Sequence, residues 1–254
     1  MCFSGGGQSL KPSNNKCFNG FTLAEVLITL AIIGVVAAIT MPTLINKYQA
    51  KVLENQFKKV DSELQRAIQQ TVTEMGYSNI QEFNRPSTPV EAYAETAQIL
   101  PEFKEKFLKQ FPEIKKENCN IYAHRNQTCK GLLGNNEVNW TACCSPYSNS
   151  YSLPNGVFFE EPSVFRGEIV IYFDINGLYK GPNKRGHDRF IYSSKAIEPI
   201  NRSSGYHGMC NPNIANSWNT SGCYKYATKN INPLDSSKSY WDILFKDKKY
   251  WKMN

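Results

Sequence analysis

The chain has 254 residues, 41% of them apolar, with 29 Lys and Arg against 22 Asp and Glu, a formal charge of +7. That length suits one ordinary domain plus an appendage. Lys11 and Lys16 lie in the first twenty positions; the remaining 27 basic and 22 acidic residues leave +5 without any block of like charge, which argues against a nucleic-acid arm and leaves only weak attraction to DNA or anionic surfaces.

Residues 1–20 are polar, rich in Gly, Ser and Asn, and free of any hydrophobic stretch. The apolar run comes afterwards, from Val26 to Ile45, with a single carboxylate, Glu25, at its mouth. An ordinary secretory signal places its apolar region before the cleavage site and loses it; this order is the reverse. At about 1.5 Å per residue the run spans roughly 30 Å, the thickness of a bilayer core. Hydropathy alone therefore describes a membrane anchor on a juxtamembrane stalk. An ionised carboxylate at that depth is costly, so Glu25 is a functional candidate by default; the plainer alternative is that it snorkels to the interface. Lysines flank the run on both sides, at Lys11 and Lys16 and again at Lys47, Lys51, Lys58 and Lys59, so basic residues give little orientation.

The helical pattern continues past the apolar run. Leu53, Phe57, Val60, Leu64, Ile68, Val72 and Met75 recur at steps of three and four, which predicts a one-faced amphipathic helix ending at Gly76. One element from Phe21 to Met75 would be about 80 Å long, with a transmembrane segment at 21–45 and a stripe that needs a globular cover. Pro42 removes a backbone bond inside it and invites a kink, while Ala37 and Ala38 offer a small-residue surface to a neighbouring helix.

Gly20-Phe21-Thr22-Leu23-Ala24-Glu25 with its apolar run resembles the processing signal of type IV prepilins and type II secretion pseudopilins. The resemblance covers residues 20 to roughly 50, about an eighth of the chain. It implies that residues 1–20 are a cytoplasmic leader, cut between Gly20 and Phe21 by prepilin peptidase, and that the new amine of Phe21 is N-methylated. It also implies that Glu25 pairs with that amine on a neighbouring subunit, and it matches Pro42 to a helix-interrupting proline common in the family. The further partners implied are other pilin or pseudopilin subunits and an inner-membrane assembly platform with its ATPase. The implied location is a single pass of the bacterial inner membrane, residues 77–254 extracytoplasmic, and then a filament. In mutual contact two charges in lipid compensate one another, so Glu25 would set subunit register while packed helices supply cohesion.

From Tyr77 to about Lys130 the pattern is helical and polar. Ser87-Thr88-Pro89-Val90-Glu91 reads as a helix start with Thr88 as cap, and Ala92–Leu100 and Pro101–Phe111 read as two short helices. Strands follow at Asn155–Glu160, Glu168–Asp174 and Arg189–Tyr192, with turn signals at Asn155-Gly156 and Asn176-Gly177. A small antiparallel sheet laid on the amphipathic half of the long helix gives an α+β, pilin-like architecture with a lollipop outline, a helical insertion and a disulfide-closed carboxy-terminal loop. The stretch from Asp174 to Phe190 looks like a sheet hairpin of many prepilin-like proteins. Its Asp174, Asn176 and Asp188 are oxygen donors of a kind that suits calcium, against the simpler reading that Asp174 and Asn176 close turns. These residues do not map cleanly onto the carboxy-terminal calcium loop of some pseudopilins. An EF-hand fails, since Tyr179 and Arg185 fall where its glycine and bidentate glutamate belong.

The resemblance implies that Cys2 and Cys17 leave with the leader. Cys119, Cys129, Cys143, Cys144, Cys210 and Cys223 remain, an even number that reads as disulfides outside the cytosol. Cys210 and Cys223 enclose a polar loop and are expected to pair, as in the closing disulfide of many pilins. Adjacent Cys143 and Cys144 are expected to take different partners, with Cys119 and Cys129 available; a metal cluster with His124 has irregular ligand spacing. Scattered histidines, no Gly-x-Ser-x-Gly and no phosphate-cradling loop argue against an enzyme. The leading expectation is thus a minor pilin or pseudopilin. The alternative is a pilin-anchored recognition module binding carbohydrate or DNA through Tyr147, Tyr151, Trp218, Tyr224, Tyr226, Tyr240, Trp241, Tyr250 and Trp251.

Overall fold

The computed structural model describes residues 20–83, 89–117, 148–165, 168–177, 180, 183, 185–194, 210 and 222–243, with backbone alone at 89–96, 165, 242 and 243. The chain divides into two units, residues 1–43 and 44–254. The first helix, α1 (Leu23–Glu74), contributes to both.

In the first unit α1 is long and apolar enough to cross a membrane. Its large side chains, among them Leu27, Ile28, Ile33, Val36 and Ile39, are all exposed. In water such a surface costs roughly 25 cal/mol per Å², so this half of the helix requires lipid or other apolar helices around it.

In the second unit the predicted stripe is the core. Leu53, Phe57, Val60, Leu64, Ile68 and Val72 are buried and Met75 packs at the margin. The predicted stop at Gly76 is present. Gly76 takes a φ of 86°, its N–H donates to Thr73 and that of Tyr77 to Val72, the two bonds of a Schellman cap. One residue departs from the pattern: Glu54 is buried on the stripe, held by Lys51 at 2.9 Å and Lys58 at 2.6 Å, three and four residues away.

A short helix, α2 (Ile80–Phe83), opens with the Asn79 carboxamide accepting the Glu82 N–H. Next, α3 (Pro89–Lys109) begins at the expected proline; the proposed cap Thr88 lies outside the described residues. The two short helices expected here are one helix that runs through Pro101. A proline inside a helix costs about 3 kcal/mol. Just beyond it Phe103 and Phe107 are both fully buried, stacked at 5.9 Å and packed on Phe83, Phe111 and Phe159. Two such burials are worth about 1.5–3 kcal/mol each, enough to keep the helix intact.

The sheet is antiparallel throughout. Its strands are β1 (Lys115–Glu117), β2 (Ser150–Ser152), β3 (Phe158–Glu160), β4 (Ser163–Phe165), β5 (Glu168–Asp174) and β6 (Arg189–Ser193). β5 is central: β3 pairs with its last residues and β4 with its first, on one edge, while β6 runs along the other. The order is β1-β2-β3-β5-β4 with β6 beside β5. The segment Asn155–Glu160 is a strand only from Phe158, because Asn155-Gly156 forms the β2–β3 turn. The Leu153 N–H donates to Val157 and the Gly156 N–H to Leu153. α1 meets the sheet through Phe57, whose ring lies 4.7 Å from Phe190 and 6.5 Å from Phe173.

Cys210 and Cys223 are joined by a disulfide, as expected. Cys223 opens α4 (Cys223–Lys229), which is followed by α5 (Tyr240–Ile243). Three aromatic residues proposed for an exposed recognition face are instead core. Tyr224, Tyr240 and Trp241 are buried, with Trp241 and Tyr224 packed 5.2 and 5.8 Å from Phe57. Their polar ends find partners: Tyr240 donates to the Gly186 carbonyl and Trp241 Nε1 to Ala227 at 3.3 Å. Amphipathic rings with satisfied tips are stable inside. Tyr151 and Tyr226 are partly buried; Tyr147, Trp218, Tyr250 and Trp251 lie outside the described residues.

Candidate functional site

Two places gather the residues singled out from the sequence. The first is the connection between β5 and β6. Asp174, the last residue of β5, is fully buried. Its Oδ1 accepts the N–H groups of Asn176 at 3.2 Å and Gly177 at 2.8 Å, so Asp174 does close the turn. Asp188 is also fully buried, its Oδ2 accepting the Asn183 N–H at 2.7 Å while its carbonyl accepts the Ile175 N–H. Arg189 approaches from β6, with Nε 3.9 Å from Asp174 Oδ2 and Nη2 3.6 Å from Glu160. Burial pushes the Asp174 carboxyl up to about 7, the Asp188 charge adds to that, and Arg189 and the two turn N–H groups oppose it. Among the described residues no three His, Cys, Asp or Glu side chains form a metal-holding group.

The second place is the start of α1. The Thr22 N–H donates to Glu25 Oε2 at 2.8 Å and the Thr22 hydroxyl to the same oxygen at 2.9 Å. In return the Glu25 N–H donates to Thr22 Oγ1 at 3.3 Å. This is a capping box, the reciprocal pairing of a threonine cap with a glutamate three residues on. The exposed apolar helix therefore starts with its carboxylate folded back on its own first turn. Phe21, just outside, is 87% exposed.

Residues 15–41 match the family model described as the prokaryotic N-terminal methylation motif. They carry the type IV pilin and pseudopilin signature. No curated protein and no solved structure matches the chain.

Within this pilin-type signature, Gly20 has open space where a Cβ would stand, and its backbone is not left-handed. Neither space nor backbone demands a glycine there. Pro42 lies inside α1. The capping box was legible as Thr-x-x-Glu at Thr22–Glu25, a pattern overshadowed by the apolar run it introduces. Cys119, Cys129, Cys143, Cys144 and His124 lie outside the described residues.

Proposed function

We propose that the chain is a structural subunit, a minor pilin or pseudopilin, of a type IV pilus or type II secretion-like filament. The methylation motif on an exposed apolar helix carries this reading. Prepilin peptidase cuts between Gly20 and Phe21, the amine of Phe21 is methylated, and the inner-membrane platform with its ATPase moves the subunit into the filament. Other subunits then cover the apolar half of α1 that the chain leaves bare. Before assembly the Glu25 carboxylate is satisfied by Thr22; on assembly it turns to the charged amine of a neighbour's Phe21. A charge in lipid is never left bare in this exchange, since it passes from neutral donors to an opposite charge. The same motif supports a membrane-anchored, single-pass protein with residues 77–254 outside the cytoplasm, where the Cys210–Cys223 disulfide is chemically at home.

The test is mass spectrometry of the protein from the envelope fraction. A mature chain that begins at N-methylated Phe21 is the expected result. An intact leader, or a start elsewhere, would overturn the reading and leave α1 as a plain anchor.

A further inference from the structure

Asp174 presents a problem that the turn does not solve. Its side chain is wholly inaccessible to solvent, and its Oδ1 already holds two N–H groups. Oδ2 is buried and receives no hydrogen bond. The cationic atom facing it, Arg189 Nε, stands 3.9 Å away, beyond hydrogen-bonding range, on a guanidinium that also serves Glu160. Asp188, a second fully buried carboxylate, lies near enough to act on Asp174 electrostatically. A buried carboxylate oxygen without a donor, beside a like charge, is expensive. What it calls for is a cation.

The connection around it is rich in hard donors. Between Asp174 and Asp188 it carries Asn176 and the buried Asn183, whose backbone takes the left-handed conformation at φ 51° as the chain turns back toward Asp188. Carboxylate and amide oxygens are the donors of calcium rather than of zinc or copper, which prefer nitrogen and sulfur. Calcium also accepts irregular sets of six to eight oxygens, whereas magnesium demands a near-ideal octahedron and keeps several waters, which a buried loop resists.

We propose that the β5–β6 connection folds around one divalent cation of the calcium type, bound through Asp174 Oδ2, with the Asp188 carboxylate and the amide oxygens of Asn176 and Asn183 as further donors. The ion would neutralise the two buried acids and pin the connection to the end of the sheet. The site does not depend on processing at Gly20, so its failure would leave the filament reading standing.

The experiment uses the full chain in detergent, stripped with a chelator and titrated with calcium alone by calorimetry. One ion per chain is expected, with a Kd of roughly 10⁻⁵–10⁻³ M, weakened at least about tenfold by Asp174→Asn. Hydrogen exchange of the unsubstituted protein gives a second readout that needs no variant to fold: calcium should slow exchange of the amides of residues 175–188. The proposal is overturned by the absence of saturable binding up to about 10 mM calcium, a range that covers even weak extracellular sites. Undiminished affinity in a folded Asp174→Asn protein, or unchanged exchange across 175–188, would equally overturn it.

Discussion

Asp61 shows how one polar residue ties a helix to a loop helix 163 positions away. It lies beside the buried stripe of α1, where Tyr224 of α4 donates its hydroxyl to Asp61 Oδ1. Gln65, one turn further along α1, donates to the Tyr224 oxygen at 2.8 Å. Burial raises the Asp61 carboxyl above its ordinary value of 3.8, and the bonds from Tyr224 and Gln65 pull it back only in part. The sign of the linkage follows. A carboxyl whose folded value is raised contributes stability that is complete below about 4 and is lost as pH rises through the folded value. Thermal melts from pH 3 to 7 should therefore show a decline that Asp61→Asn flattens; an identical pH profile in the variant would exclude Asp61 as its source. Tyr224→Phe should cost about 1–3 kcal/mol, because it takes from a half-buried carboxylate one of its two donors and leaves Gln65 alone to serve it. The stripe that borders Asp61 was legible from the spacing of Leu53 to Val72. Tyr224 was not, because nothing local to it announces a partner so far off in sequence, and it reads equally well as an exposed ring.

At the scale of elements, two glycines end their elements under different constraints. Gly76, which ends α1, has a left-handed φ of 86° and open space around its missing Cβ. Gly177, after β5, has a φ of 93°, and a Cβ there would stand 2.3 Å from the Gly156 carbonyl oxygen. The β2–β3 turn and the β5–β6 connection thus touch backbone to backbone. Gly76→Ala should cost about 1 kcal/mol, the left-handed penalty alone. Gly177→Ala must also push two turns apart, and its loss in chemical denaturation should exceed that of Gly76→Ala by at least about 1–2 kcal/mol. Equal losses would mean that the contact between the turns yields freely. Both turns were readable from Asn-Gly pairs, and the long strand β5 from its run of Ile, Val, Tyr and Phe. The three-residue strands were not: Lys115-Lys116-Glu117 has no alternation and no β-branched residue, and pairs only because Ser150–Ser152 lies against it. Helix α3 misled for the opposite reason. Pro101 is a sound local stop signal, and it was overruled by the tertiary burial of Phe103 and Phe107.

Across the whole molecule the two units answer to different physics. Residues 15–41 carry a signature that is local in sequence, and their exposed apolar helix is stable only in a non-aqueous setting. Residues 44–254 carry their own core, centred on Phe57 and its contacts with Phe173, Phe190, Tyr224 and Trp241. The disulfide belongs entirely to this second unit. Cys223 is fully buried at the head of α4, and Gly186, whose Cβ position lies 2.9 Å from the Cys223 sulfur, packs directly against it. Cys210 and Cys223 are 13 residues apart, so removing the crosslink restores to the unfolded chain a loop entropy worth roughly 3 kcal/mol. A Cys210→Ser, Cys223→Ser double variant should accordingly lower the melting temperature of the second unit while leaving the processing proposed at Gly20–Phe21 unaffected. The two readouts divide the possibilities. A fall in stability with normal processing is the outcome for independent units; lost processing would mean that the peptidase senses the fold of residues 44–254 as well as the sequence around Gly20. Unchanged stability would mean that the contacts of Phe57 and Trp241, rather than the crosslink, hold α4 in place.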